Sequence, residues 1–178
     1  MWAIAAKIPM TIVGGVAASL LGRPRLTRDI DALVSLPETR WISTLQSGAS
    51  FGLLPRVDHP IEFAVKTRVL LLRHEPSAID VDVMFGVLPF EEIAVAEATS
   101  RLVADFEVRL PRIEDLIVMK AIAHRPRDMA DIEGLLAANP DVNLAVIRQW
   151  VREFSVATTM PHLLEDFENL VANIRRST

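Results

Sequence analysis

The stretch GGVAASLLGRPRLTRDIDAL, residues 14–33, decides the fold. Before it, the apolar run 8–13 predicts a short buried strand that ends at a pair of glycines. Residues 17–21 then predict a short helix, and residues 29–36 predict a second strand. The predicted unit is therefore strand, helix, strand, with glycines at the first turn and two aspartates at the start of the second strand.

The two aspartates, Asp29 and Asp31, lie one residue apart in the second strand. Alternate residues of a strand face the same way, so both carboxylates project from one face. Two like charges so placed repel each other, and each resists losing its water. A divalent cation such as Mg²⁺, or Mn²⁺ in its place, removes that cost and shares its remaining positions with phosphates. The alternative is a surface strand whose aspartates face water.

The glycine pair, Gly14 and Gly15, supplies a complementary feature. Glycine permits a tight turn from strand to helix and a close approach of the backbone to a ligand. The N–H groups at the start of the following helix attract an anion. With the aspartates, the pair predicts a cradle for the triphosphate of an NTP, although glycines alone fit an ordinary turn.

A second acidic pair, Asp80 and Asp82, lies on a strand predicted over residues 78–85. The aliphatic run 62–73 predicts its antiparallel partner across a turn. An in-line phosphoryl displacement between two cations needs a third carboxylate. Asp82 is the preferred metal ligand and the base for the attacking hydroxyl, with Asp80 as its neighbour or as a solvated side chain. A hairpin with one wet face remains the alternative.

Lys120 is a charge in an otherwise apolar helix predicted over residues 114–124. It continues the i, i+3, i+4 spacing of Ile113, Leu116 and Ile117. A lysine there either extends to water or meets a buried anion, and the second option predicts a contact with phosphate.

Two acidic residues, Asp128 and Asp131, follow at helical spacing beside arginines. This pattern favours a solvated helix start with local ion pairs. The functional alternative is that the two carboxylates position a ligand near Lys120.

Composition narrows the class of protein. The 178 residues suit one domain, or one domain with a small appendage, and the net charge of -4 gives no general signature of nucleic-acid binding. The absence of cysteine excludes disulfides and thiolate metal sites and fits the cytoplasm. No apolar run is long enough to span a membrane, and residues 1–10 lack the features of a signal peptide. The opening pattern also fits a chain without its native N-terminus.

The pattern changes at Pro111. Residues 1–110 alternate predicted strands and helices, which indicates an α/β (α+β) half. Residues 111–178 predict helices only, one of them capped by Asp141 or Asn143 and the last beginning at Pro161.

Three segments together resemble the nucleotidyltransferase superfamily, and more narrowly its AbiEii/AbiGii-type toxins and their uncharacterised relatives. The segments are VGGVAASLLGRPRLTRDIDALV, IDVDVMFG and LPRIEDLIVMKAIAHRPRDMADIEGLL. The resemblance implies a mixed sheet flanked by helices, with a helical C-terminal part. It implies transfer of a nucleoside monophosphate from an NTP, dependent on Mg²⁺, with release of pyrophosphate.

The resemblance also assigns roles to residues. It implies metal binding by Asp29 and Asp31, and phosphate contact by Gly14, Gly15 and Lys120. The family pattern R-x-T-x-D-x-D is matched by Arg25 and Thr27 with the two aspartates, and Asp128 matches the acidic position after the lysine. The family's acceptor is a tRNA end or a protein hydroxyl, and an antitoxin protein is its usual partner.

Family toxins are commonly longer, with a larger helical C-terminal region. Two functions are therefore retained, an active nucleotidyltransferase toxin and a non-catalytic relative that binds nucleotide or a partner chain. A weaker third hypothesis, tRNA binding without transfer, rests on the basic cluster Arg23, Arg25 and Arg28.

Overall fold

The computed structural model describes residues 2–177, except for the side chains of residues 175 and 177. The predicted halves, residues 1–110 and 111–178, begin at residue 1 and end at residue 178, and these two residues lie outside the described part. The chain divides into two compact units, Met1–Val16 with Leu26–Pro111 and Ala17–Arg25 with Arg112–Thr178. No helix among the described residues is long and apolar enough to cross a membrane.

The second unit includes residues 17–25, which a boundary after residue 110 assigns to the α/β half. Hydrogen bonding explains the difference, because the side-chain amide of Asn139 donates to the Leu21 carbonyl over 2.8 Å. A Cβ added to Gly22 would lie 3.0 Å from the Leu135 nitrogen. This segment is therefore packed closely against a helix that is distant in sequence.

A five-stranded mixed sheet forms the first unit. Its strands are Met10–Val13 (β1), Asp29–Val34 (β2), Leu53–Pro55 (β3), Val69–His74 (β4) and Ile79–Phe85 (β5). The order is β1-β2-β5-β4-β3, in which β2 and β5 run parallel and all other neighbours run antiparallel. The sheet and its accompanying helices confirm the predicted α/β (α+β) class.

Helices connect the strands, and a separate hairpin follows the sheet. The helices are Trp2–Ala5 (α1), Gly14–Leu21 (α2), Trp41–Ala49 (α3), Pro60–Thr67 (α4) and Pro89–Ala96 (α5), with a 3₁₀ turn at Glu38–Arg40. The hairpin pairs Thr99–Val103 (β6) with Phe106–Leu110 (β7). Helix α2 begins at Gly14, three residues earlier than predicted, so both glycines belong to its first turn.

The predicted strand over residues 62–73 is wrong in its first half, where α4 forms instead. Pro60 occupies the first helical position, where its fixed φ favours a helix start. Arg68 then adopts a left-handed conformation with φ 61°, and its N–H bonds the Ala64 carbonyl over 2.7 Å. Only residues 69–74 form the strand, whose antiparallel pairing with β5 is confirmed.

The core of the first unit lies against one face of the sheet. Leu70, Leu72 and Val83 are fully buried there. Phe85 is also buried and stacks on Trp41, with ring centroids 4.0 Å apart and planes within 14°. Since successive side chains of a strand project to opposite faces of the sheet, the other face of β2 and β5 carries a different set of side chains.

Four helices form most of the second unit, as predicted for the C-terminal part. They are Ile113–Ala123 (α6), Pro126–Ala138 (α7), Leu144–Ala157 (α8) and His162–Ser177 (α9). The cap of α8 is Asn143, whose side-chain oxygen accepts from the N–H groups of Ala145 and Val146. Ile147, Val151, Leu163 and Phe167 are buried in this unit.

Replacement of Phe85 by alanine should destabilise the chain by about 3–5 kcal/mol, because it removes a buried ring and leaves a cavity beside Trp41. Phe106→Ala is the matched control, since Phe106 is 70% exposed. Urea unfolding measures both changes, and equal free energies for the two variants would contradict this account of the core.

Candidate active site

Four carboxylates share one face of the sheet. The parallel register of β2 and β5 places Asp29 directly opposite Asp80, and Asp31 directly opposite Asp82. Because alternate residues face the same way, all four project to the side opposite the Phe85 core. We call these four residues the acidic face. All four side chains are partly accessible to solvent.

The glycine turn meets the acidic face at Asp31. Gly14 has φ +61°, and a Cβ built on it would lie 1.8 Å from an Asp31 carboxylate oxygen. Only glycine therefore fits there. The other aspartate of β2 is held by Thr27, whose hydroxyl donates to the Asp29 carboxylate over 2.7 Å. The predicted residues Gly14, Thr27, Asp29 and Asp31 are thus brought together in the first unit.

Two arginines compensate the charge of the β5 carboxylates. Arg73 of β4 donates to Asp80 over 2.9 Å. Arg56, just after β3, contacts Asp82 with one guanidinium nitrogen and lies 3.5 Å from Asp80 with another. Asp80 and Asp82 are therefore both bound by cationic side chains of the same unit.

Burial and the neighbouring charges both affect the pKa of Asp82. Burial raises its pKa above the usual range for a carboxyl group, although the Arg56 guanidinium opposes the change. The charges of Asp29 and Asp80 raise it further. An ionised Asp82 is therefore repelled by its neighbours, and a cation near it removes that repulsion.

A divalent cation fits this donor set in chemistry and register, since Mg²⁺ and Mn²⁺ prefer carboxylate oxygens. As the side chains lie, however, no three His, Cys, Asp or Glu residues among those described are grouped closely enough to hold a metal ion. In this arrangement Asp82 contacts the guanidinium of Arg56.

The second unit contains a buried charge cluster around Lys120, which is only 4% exposed. Its ammonium group lies 3.1 Å from Asp128 and 2.6 Å from Asp131. Arg25 donates two hydrogen bonds to Asp131, and Arg125 donates to Asp128. Three cationic and two anionic side chains are thus paired within this unit, and together they carry a net charge of +1.

This cluster changes two expectations from the sequence. Asp128 and Asp131 are buried, so the solvated helix start that the pattern favours is wrong. Lys120 does meet an anion, as one alternative supposed, but the anions here are the two carboxylates of α7.

Hydrogen bonds set the pKa values in the cluster. Burial alone would raise the pKa of Asp128, but hydrogen bonds from Arg125 and Lys120 hold it below its usual value. Arg25 and Lys120 lower the pKa of Asp131 against burial in the same way. Both groups are therefore ionised in the folded state at neutral pH.

The local ion pair of Arg125 with Asp128 agrees with the sequence pattern, but the contacts of Arg56, Arg73 and Asp131 were not predicted. Arg73 was open to detection, because the predicted hairpin brings it opposite Asp80. Arg56 gives no local signal, since it contacts a residue 26 positions away. Asp131 lies one turn from Asp128, but only its burial distinguishes it from an exposed helix residue.

The family model described as "Nucleotidyl transferase AbiEii toxin, Type IV TA system" matches residues 2–175. The chain belongs to this family. The AbiEii match covers both units and confirms the resemblance drawn from the glycine turn, the acidic strands and the helical segment. No protein with a curated description matches the sequence.

Solved structures share the fold of this AbiEii-family chain at low sequence identity. The antibiotic-resistance factor ANT(2'')-Ia has a TM-score of 0.54 and 17% identity, covering 99% of this chain and 90% of its own. The lincosamide antibiotic adenylyltransferase LnuA, bound to lincomycin, gives 0.52 and 14%, covering 76% and 90%. An antigenic nucleotidyltransferase-like protein from Paracoccidioides brasiliensis gives 0.55 and 15%, covering 92% and 87%. The AbiEii-family chain therefore has the nucleotidyltransferase fold.

Lys120→Met should cost about 3–5 kcal/mol of unfolding free energy, because it leaves two buried carboxylates without their shared cation. Lys66→Met, at an exposed lysine, is the control and should change little. Both carboxyl pKa values are depressed by folding, so their contribution is present above the ordinary carboxyl range and is lost as the pH falls below it. Urea unfolding from pH 7 to 3 should show a shallower acid loss in Lys120→Met than in wild type.

Gly14→Ala should displace the Asp31 carboxylate and strain the backbone at φ +61°, at a cost of about 1–3 kcal/mol. Gly52→Ala is matched to it, because Gly52 also has a positive φ of +74° but meets Pro76 instead. Thermal unfolding should detect both variants, whereas calorimetric binding of Mn²⁺ should weaken only in Gly14→Ala. Equal Mn²⁺ binding in the two variants would contradict the role given to Gly14.

Proposed function

We propose that this AbiEii-family chain is a metal-dependent nucleotidyltransferase that moves an NMP from an NTP to a hydroxyl of tRNA or protein. In this proposal it is the toxin of a toxin–antitoxin pair and works in the cytoplasm, without a membrane. The main support is the register of β2 and β5, which aligns four carboxylates on one face beside the glycine turn. Family membership supports the class of chemistry.

The proposed roles follow from the position of each side chain. Asp29 and Asp31 hold the cation, and Asp82 is the third carboxylate and accepts the proton of the attacking hydroxyl. When bound, Mg²⁺ or Mn²⁺ supplies charge neutralisation for the phosphates. Thr27 keeps the Asp29 carboxylate in place through its 2.7 Å hydrogen bond. The backbone at Gly14 and Gly15, in the first turn of α2, binds phosphate oxygens.

The nucleotide roles proposed for Arg25, Lys120 and Asp128 need a further condition. Arg25 and Lys120 both bind Asp131 here, and Lys120 is nearly inaccessible. Direct contact with a phosphate therefore requires them to exchange a carboxylate for the ligand. Without that exchange their role is to hold α6, α7 and the segment before β2 in one arrangement within the second unit.

A non-catalytic relative is the second candidate. It is favoured by one observation, that Arg56 binds the carboxylate proposed as the third metal ligand. Such a protein would keep the fold and bind nucleotide or an antitoxin without turnover.

Pyrophosphate release with each NTP, Mg²⁺ and total tRNA or cell lysate tests the proposal. We expect release with at least one NTP, transfer of label to a macromolecule, and a loss of at least about 100-fold in Asp29→Ala. Asp105→Asn removes an exposed acid from the β6–β7 turn and should keep full activity.

The acceptor is resolved by where the label goes. An arm with lincomycin is included because a neighbour in fold is an adenylyltransferase of that antibiotic class. Label on tRNA or protein supports the proposal, and label on lincomycin alone contradicts the macromolecular acceptor. Nucleotide binding without release by wild type would favour the non-catalytic candidate.

A further inference from the structure

Arg56 lies just after β3 and is hydrogen-bonded to β4 through its backbone and its side chain. Its backbone N–H donates to the Leu71 carbonyl over 3.0 Å, and its side-chain Nε donates to the Leu72 carbonyl over 2.9 Å. These two bonds fasten both ends of the residue to β4. These hydrogen bonds direct the guanidinium towards the acidic face.

The two carboxylates of β5 depend on Arg56 to different degrees. Asp80 has the Arg73 guanidinium at 2.9 Å and Arg56 at 3.5 Å. For Asp82, the guanidinium of Arg56 is the cation in contact. Asp82 therefore depends on Arg56 more than Asp80 does.

We propose that Arg56 sets the divalent-cation affinity of the acidic face by competing with the ion for Asp82. This inference rests on the proposed function in using that carboxylate as the third ligand. In the metal-free protein the guanidinium stabilises the ionised Asp82 against Asp29 and Asp80. When an ion binds, Asp82 exchanges the guanidinium for the ion, and Asp80 retains Arg56.

The same contacts give Asp80 a role. It lies between the two arginines and directly opposite Asp29, and it is already within 3.5 Å of Arg56. A guanidinium released from Asp82 therefore keeps an anionic partner without leaving its anchors on β4. Asp80 is then a positioning residue for Arg56, and Asp82 is the ligand that exchanges.

Calorimetric titration of the purified full chain with MnCl₂, without nucleotide, tests the competition. Arg56→Gln should bind Mn²⁺ about three- to tenfold more tightly than wild type, since the competing cation is gone. Arg73→Gln is the matched control, because it removes the same charge from the same face but leaves Arg56 on Asp82. The Mn²⁺ affinity of Arg73→Gln should rise by less than half as much as that of Arg56→Gln, compared as logarithms of the dissociation constants.

A double variant tests whether the extra Mn²⁺ affinity of Arg56→Gln depends on Asp82. Arg56→Gln combined with Asp82→Asn should lose the extra affinity, because the freed ligand is then absent. Circular dichroism and thermal unfolding establish that each variant is folded. If Arg56→Gln is not folded, Arg56→Lys replaces it, with a smaller gain in affinity expected.

The outcomes separate this inference from the proposed function. Equal affinities in Arg56→Gln and Arg73→Gln would reduce the effect to net charge and overturn the inference, as would unchanged or weaker binding in Arg56→Gln. Failure to detect Mn²⁺ binding in any variant also overturns it. The proposed function is judged separately by pyrophosphate release. That reaction does not require the free protein to bind the ion, because an NTP can carry the ion into the site on its phosphates.

Discussion

The in-register parallel pairing of β2 with β5 is the constraint on which the candidate site depends. It brings Asp29 opposite Asp80 and Asp31 opposite Asp82, so four like charges are fixed by backbone hydrogen bonds. A slip of either strand by one residue would turn the two carboxylates of that strand towards the apolar core around Phe85. Burial of the apolar residues of β5 therefore fixes the side to which its aspartates point. The alternation of apolar and acidic residues along this strand specifies both the stability of the sheet and the position of the carboxylates.

The two units compensate their carboxylates in different ways. On the sheet, the arginines and the acids they bind all keep some access to water. In the helical unit, Lys120 is buried between Asp128 and Asp131, and arginines complete the network. Exchange of a partner for a ligand costs less on the sheet, where water can solvate the released side chain. In the helical unit it leaves a buried charge without its partner, so this cluster is suited to stabilising the structure.

Much of this organisation follows from the sequence because its signals are local. The glycine turn, the alternating aspartates and the apolar face of β5 are each defined by spacings of one or two residues, and the confirmed family resemblance rests on them. The helix at residues 60–67 is not predicted because the aliphatic and β-branched residues of 62–73 favour a strand, and the left-handed conformation that ends the helix at Arg68 has no sequence signal. The contacts of Arg56 with Asp82 and of Lys120 with Asp131 are set by tertiary placement, and no spacing encodes them.

The burial of Trp41 beside Phe85 in the first unit has a consequence for fluorescence measurements. Of the three tryptophans, Trp2 and Trp41 belong to the first unit and are buried, whereas Trp150 lies on α8 in the second and is partly exposed. With Trp150 replaced by phenylalanine, the fluorescence of the chain arises from the first unit alone. A denaturation curve recorded by emission can then be compared with one recorded by circular dichroism, which the helices of the second unit dominate. Coincidence of the two curves would mean that the units melt as a single cooperative block.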